Sequence, residues 1–301
     1  MKEEPDRETI ATKPGSGSRP RVVLDTDTYN EIDDQFALAY LLNSQDVVRP
    51  EAIYAAPFHN DRSSSPGDGM EKSFAEIERL LDRLDMRDLP HFRGSTRTIG
   101  ASPERPPASD AVTDLIERSR SATPDLRLSI IAIGAITNVA AALLTDPSLA
   151  ERCNVVWLGG NAPGFPEPGE FNLHGDIDAA RVVFDSGIPL YLVPAWPVSS
   201  HLATTREELS TYLDLDQPLS QFLYESFVAY GPPEGVWSKE IWDIAGVAWL
   251  VLPDSVESYS CPTPIIAPDG TYAVRPGRPA CEMAYRVNRD TIYTDMFRRL
   301  A

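Results

Sequence analysis

Disulfides and zinc clusters have little to work with in this chain. Its 301 residues include three cysteines, Cys153, Cys261 and Cys281. They are odd in number, widely spaced and without a CxxC, which disfavours a disulfide framework or a zinc site and points to a reducing compartment. Basic side chains are also scarce: 27 Lys+Arg face 45 Asp+Glu, a net charge of −18. Proteins that track nucleic-acid phosphates need clustered Lys and Arg, and an anionic membrane repels so acidic a surface. A neutral small molecule or a bound cation suits this balance better than a polyanion does. No apolar run is long enough to span a bilayer, and MKEEPDRETIATKPGSGSRP has no stretch that serves as a secretory signal. The cytoplasm is the expected location.

What is present is a core. The hydrophobic fraction is 42%, ordinary for a globular protein. Residues 1–20, polar and rich in Gly, Pro and Ser, are expected to be a disordered tail, with one domain over 21–301. From Arg21 short apolar runs alternate with helical patterns. RVVLD, EAIYAA, LPHFRG, RLSIIAIG, NVVWLGG and PLYLVP read as strands. FALAYLL, MEKSFAEIERLLDRL, DAVTDLIERSR, TNVAAALL and DAARVVFDSG read as the helices between them. Such alternation predicts an α/β fold, a mostly parallel central sheet with helices on both faces. The second half is less regular: helices over REELSTYLDL, Leu219–Tyr230 and IWDIAGVAWLVL, a small hairpin in CPTPIIAPDGTYAV turning at Asp269-Gly270, then a strand and a closing helix.

Ligands in such sheets bind beyond the carboxyl ends of the strands. VVLDTDTYNEIDDQFALAYLL places Asp25, Asp27, Asp33 and Asp34 there within ten residues. Converging carboxylates repel one another unless a cation intervenes, and hard oxygens without His or Cys suit Ca²⁺ or Mg²⁺ rather than zinc. Capping of the following helix would account for Asp33 and Asp34 taken alone; four acids directly after a strand favour the cation.

Four stretches, in order, resemble the inosine–uridine-preferring nucleoside hydrolases. DTDTYNEIDDQFAL is similar to that family's DxDPGxDDAxAL, with two extra residues between the acidic pairs and no Pro-Gly. AIGAITNVAAALLTDP resembles GPLTNxALAL, GEFNLHGDIDAARVVF resembles EFNxxxDPEAAxxVF, and IWDIAGVAWLV resembles HDPxAVAYL. The resemblance runs from about Arg21 to the C-terminus. It implies a Rossmann-like nucleoside hydrolase fold that hydrolyses the N-glycosidic bond of a ribonucleoside, and a homodimer or homotetramer. It implies that Asp27, Asp34, Asp243 and the main-chain carbonyl of Thr137 hold Ca²⁺, with Asp27 as general base towards a water on the ion. Asp33, Glu170 and Asn172 would bind ribose hydroxyls, with Asn161 a further sugar contact. Asp25 and Asn138 would support their neighbours, and Asp176 would remain a helix cap.

One departure is chemical. Trp242 stands where many members carry a His that protonates the leaving base. An indole N–H only donates a hydrogen bond, so Trp242 is expected to stack on the base, with His59 or Tyr230 as alternative proton donors. Two rival functions remain open. DTDT after an apolar strand also fits the opening of a Mg²⁺-dependent haloacid-dehalogenase-like phosphatase, but that reaction needs a later lysine and the chain has only Lys2, Lys13, Lys72 and Lys239. The Trp242 substitution admits a non-catalytic nucleoside-binding protein on the same scaffold.

Overall fold

The computed structural model describes residues 19–100, 103–123, 126–167 and 169–300; the tail expected over residues 1–20 falls almost wholly outside them. RVVLDT forms β1 (Arg21–Thr26), buried at all six positions, as a strand covered on both faces must be. β2 (Arg49–Ala55), β3 (His91–Arg93), β4 (Leu128–Ala132), β5 (Cys153–Leu158) and β6 (Leu190–Val193) lie parallel to it. β7 (Ala203–Thr204) and β8 (Lys239–Glu240) form a separate antiparallel pair. β9 (Val256–Pro262), β10 (Ile265–Ile266), β11 (Tyr272–Ala273) and β12 (Ala280–Val287) complete the strands. The main sheet has eight strands in the order β3-β2-β1-β4-β5-β6-β12-β9. Its single antiparallel member is β9, paired with β12 at the edge.

The expected hairpin exists as β10 and β11, turning through Asp269 and Gly270. The sequence reading did not foresee β9, and the cause is physical. Its side chains are mostly exposed, so it carries no apolar run. β9 and β12 also bring two distant thiols together: Cys261 pairs in register with Cys281, Sγ to Sγ 3.7 Å.

Helices cover both faces. They are α1 (Asp33–Leu42), α2 (Pro66–Arg83), α3 (Asp110–Ser119), α4 (Thr137–Thr145), α5 (Leu149–Arg152) and α6 (Phe171–Gly175), then α7 (Ile177–Asp185), α8 (Arg206–Tyr212), α9 (Pro218–Tyr230), α10 (Ile244–Val251) and α11 (Arg289–Leu300). Because side chains alternate along a strand, Val22 and Leu24 enter one core with α1, α2, α10 and α11, while Val23 enters the other with α3, α4 and α7. Every residue of α1 is buried, Asp33 and Asp34 included. Elsewhere polar residues set the helix starts: Ser65 accepts from the Asp68 amide ahead of α2, and Asp176 accepts from the Ala179 amide ahead of α7. No helix among the described residues is long and apolar enough to cross a membrane.

The strand order fixes where chemistry can occur. The chain leaves β1 towards β2 on one side and returns to β4 on the other. At such a reversal the two connections diverge and open a crevice at the carboxyl ends of the strands. Asp27 and Ile133 stand just past the ends of β1 and β4.

Candidate active site

The crevice is a cleft of about 650 Å³, open solvent included, within the usual range for a small-molecule site. Asp27, Asn30, Glu31, Asp33 and Asp34 line it from the β1–α1 connection. Ile133 comes from the end of β4, Leu158 and Asn161 from the end of β5, and Glu170, Phe171 and Asn172 from α6 and its cap. Ala195 and Trp196 follow β6, and Trp242 and Asp243 precede α10.

Asp33, Asp34 and Asp243 each offer an oxygen within 4.8 Å of the others, and all three are buried. Asp27 stands beside them with both carboxylate oxygens buried and without a hydrogen-bond partner. It packs directly on Gly134, where a Cβ would sit 3.0 Å from the Asp27 Cγ. Burial and mutual charge raise the pKa of every member. Asp27 lies well above the ordinary carboxylate value through burial, then the charges of Asp34 and Asp33. Asp243 does so through burial and the charges of Asp33, Asp34 and Asp27. Asp34 is pushed up to about 8 by burial and Asp33, although Thr26 Oγ1 donates to it. Asp33 reaches about 6, burial outweighing the nearby Lys239 cation. Buried acids facing one another, one of them with bare oxygens, are costly as anions unless a cation joins them. All the donors are hard oxygens, as a Ca²⁺-type ion requires.

The neighbouring polar residues build the frame. Asp25 does not line the cleft. Its Oδ1 accepts from Asn138 Nδ2 at 2.7 Å, and Asn138 also donates to the Ala55 carbonyl and accepts from the Ser95 amide. Burial pushes Asp25 up to about 7. Glu170 caps α6 and accepts from the amides of Gly160, Asn172 and Leu173 at 2.6, 2.9 and 2.8 Å. Asn172 Nδ2 donates to the carbonyls of Ile133 and Leu158, joining the ends of β4 and β5. Asn161 accepts from the Trp196 amide and donates to the Glu167 carbonyl. These three expected sugar contacts line the cleft and also hold its walls.

Three expectations change. Thr137 does not line the cleft: it opens α4, where its carbonyl belongs to the helix ladder, and its hydroxyl donates to Asp176 at 2.8 Å. The residue facing the cleft after β4 is Ile133, four positions earlier. His59 lies outside, exposed in its loop. Tyr230 lies outside the cleft at the end of α9, where burial and the Glu31 charge raise its pKa.

Sequence reasoning also missed an aromatic wall and an ion pair with a buried lysine. Trp196 meets Trp242 edge-on, centroids 5.6 Å apart, and stacks on Phe165 at 5.9 Å. Trp196 carries no motif, and Phe171 lies inside the EFN stretch between Glu170 and Asn172; position after a strand end was the signal that could have found Trp196. Lys239 Nζ lies 2.5 Å from Glu31 Oε2 with its side chain only 10% exposed. Burial opposes its charge, yet Asp33 and Glu31 hold its pKa above the usual lysine value.

The family model for inosine-uridine preferring nucleoside hydrolases matches residues 22–293. The pyrimidine-specific ribonucleoside hydrolase RihA of Shewanella baltica (strain OS155) is 26% identical over 269 residues, covering 80% of each chain. RihA of Escherichia coli O9:H4 is 25% identical over 263 residues, covering 77% of this chain and 80% of that one. Among solved structures, the plant nucleoside hydrolase PpNRh1 superposes with a TM-score of 0.75 at 20% identity, over 94% of this chain and 99% of that one. The purine-preferring ribonucleoside hydrolase from Gardnerella vaginalis also gives 0.75, at 19% identity over 93% and 98%. At these identities the structural likenesses speak for the fold.

Proposed function

Because the chain belongs to the inosine-uridine preferring nucleoside hydrolase family, and is thus a hydrolase acting on N-glycosyl compounds, we propose that it cleaves ribonucleosides to ribose and free base with calcium. The observation that carries this reading is the group of four buried carboxylates at the strand-order reversal, Asp27 among them with two unpartnered oxygens. Asp27, Asp34 and Asp243 would hold the ion, with the Ile133 carbonyl in place of Thr137. When bound, Ca²⁺ supplies Lewis acidity to a water and anchors vicinal hydroxyls.

The chain's own groups do the rest. Asp27 has the free lone pairs to take a proton from the attacking water. Asp33, Glu170 and Asn172 surround the ribose, and binding energy gathered there favours the flattened, cationic sugar of the transition state. Trp242, Trp196 and Phe171 offer flat apolar surface to the base. The phosphatase alternative finds no support in this geometry, since Asp25 is turned into the protein by Asn138 and no Lys or Arg among the described residues lines the cleft. A purely binding role would use Asp27 as an ion ligand but not as a base, and ribose release separates the two.

The test is ribose release from a panel of purine and pyrimidine ribonucleosides, with and without chelator. Release that stops on chelation and returns with Ca²⁺ is expected, and Asp27→Ala should cost at least about 1,000-fold, in line with loss of a general base and a ligand together. Undiminished turnover by Asp27→Ala after exhaustive chelation would sink the reading.

A further inference from the structure

The connection between β1 and α1, the one with two extra residues, reaches the cleft through Asn30 and Glu31. It is held from outside: Asn60 Nδ2 donates to Asn30 Oδ1 at 2.7 Å, and Arg62 lies over the Tyr29 ring. From inside it is held by Lys239, whose Nζ is 2.5 Å from Glu31 Oε2. The same ammonium donates to the Glu240 carbonyl at 3.0 Å and sits 5.5 Å from the Trp242 ring centroid and 5.8 Å from that of Tyr230. Lys239 is itself anchored in β8, opposite Thr204. Glu31 and Trp242 therefore line the same cleft and share Lys239 as a neighbour, and the Glu31 side chain is 35% exposed, whereas the carboxylates of the ion site are buried.

Resting on the ribonucleoside-hydrolase reading above, we propose that Glu31, positioned by Lys239, selects the base by accepting a hydrogen bond from an exocyclic amino group on the edge remote from the sugar. An ionised carboxylate is acceptor-only. Placed at the outer edge of a base lying against Trp242, it attracts an amino group and repels an oxo group. The preferred substrates are thus 6-aminopurine and 4-aminopyrimidine ribonucleosides over their 6-oxo and 4-oxo counterparts. Glu31 would touch the base; Lys239 acts through Glu31 and is a positioning residue.

The experiment measures kcat/KM for adenosine against inosine and for cytidine against uridine, by ribose release, so that each pair differs only in amino versus oxo. Wild type should favour the amino member, and Glu31→Gln, whose amide can donate to an oxo group, should lower that ratio about tenfold, the scale of one charge-assisted hydrogen bond. Lys239→Met should lower it in the same direction, and Lys239→Arg should restore it, which a merely structural lysine would not do. Hydrolysis of all four nucleosides with ratios unchanged in Glu31→Gln and Lys239→Met overturns this proposal alone. No hydrolysis of any of the four overturns the hydrolase reading and this inference with it.

Discussion

Four carboxylates that must share one space make the folded protein sensitive to protons. Asp33 and Asp34 among them, and Asp25 behind them, are raised to about 6, 8 and 7, by burial first, from an ordinary value of 3.8. A carboxyl whose folded pKa exceeds its unfolded one binds protons more tightly when folded. The stability it contributes is therefore complete below about pH 4 and is lost as pH rises through the folded values. In chelator, the melting temperature should fall between pH 5 and pH 8. Ca²⁺ should raise it more at pH 8 than at pH 5, because protons compete for the same oxygens; a ligand at 100 times its Kd adds about 2.7 kcal/mol. Scanning calorimetry with and without Ca²⁺ at both pH values checks this, and equal gains would remove the shared-ion account. The meeting of Asp27, Asp34 and Asp243 in one cleft could be read in the sequence because their motifs are side-chain patterns. The place of Ile133 beside them could not, because a residue that would act through its main-chain carbonyl has no side-chain signature. The Glu31–Lys239 contact escaped because nothing local ties residue 31 to residue 239.

Between strands and helices, the connection after β4 does the closest work. Gly134 lets Asp27 come to rest on the main chain: a Cβ there would lie 3.0 Å from the Asp27 Cγ and 3.1 Å from the Ala56 Cβ. Gly134→Ala should therefore push Asp27 out of line and lower kcat/KM about 100-fold, the scale of a sub-ångström to ångström misplacement, with the fold retained by circular dichroism. Wild-type rates in that variant would mean that the position of Asp27 is not critical. The parallel strands from β1 to β6 could be read from their apolar runs, and α2 and α7 from their periodicity and caps. β9 could not, being an exposed edge strand whose partner lies some twenty residues further on. The two-residue strands β7 and β8 are too short to show any periodicity, yet they seat the lysine that pairs with Glu31 of the cleft.

Seen whole, the molecule is an acid. With a net charge of −18 and six carboxylates but no basic side chain lining the cleft among the described residues, it should discriminate against anions. Nucleoside 5′-monophosphates are expected to be hydrolysed at least about 100-fold less efficiently than the parent nucleosides, with the gap widening at low ionic strength. Equal kcat/KM for inosine and its monophosphate at low salt would contradict this. Charge and composition showed that bias from the sequence alone, and the strand–helix alternation gave the layered architecture. The wall of Trp196, Phe171 and Trp242 needed the fold, since it is assembled from three connections far apart in the chain. That long-range assembly has a consequence for birth at the ribosome. Asp243 is synthesised about two hundred residues after Asp27 and Asp34, so a nascent chain carries two acids of the set long before the third exists. If calcium is the ion, as proposed above, its hold should tighten only when the segment bearing Asp243 docks, so that uptake of the ion reports closure of the cleft.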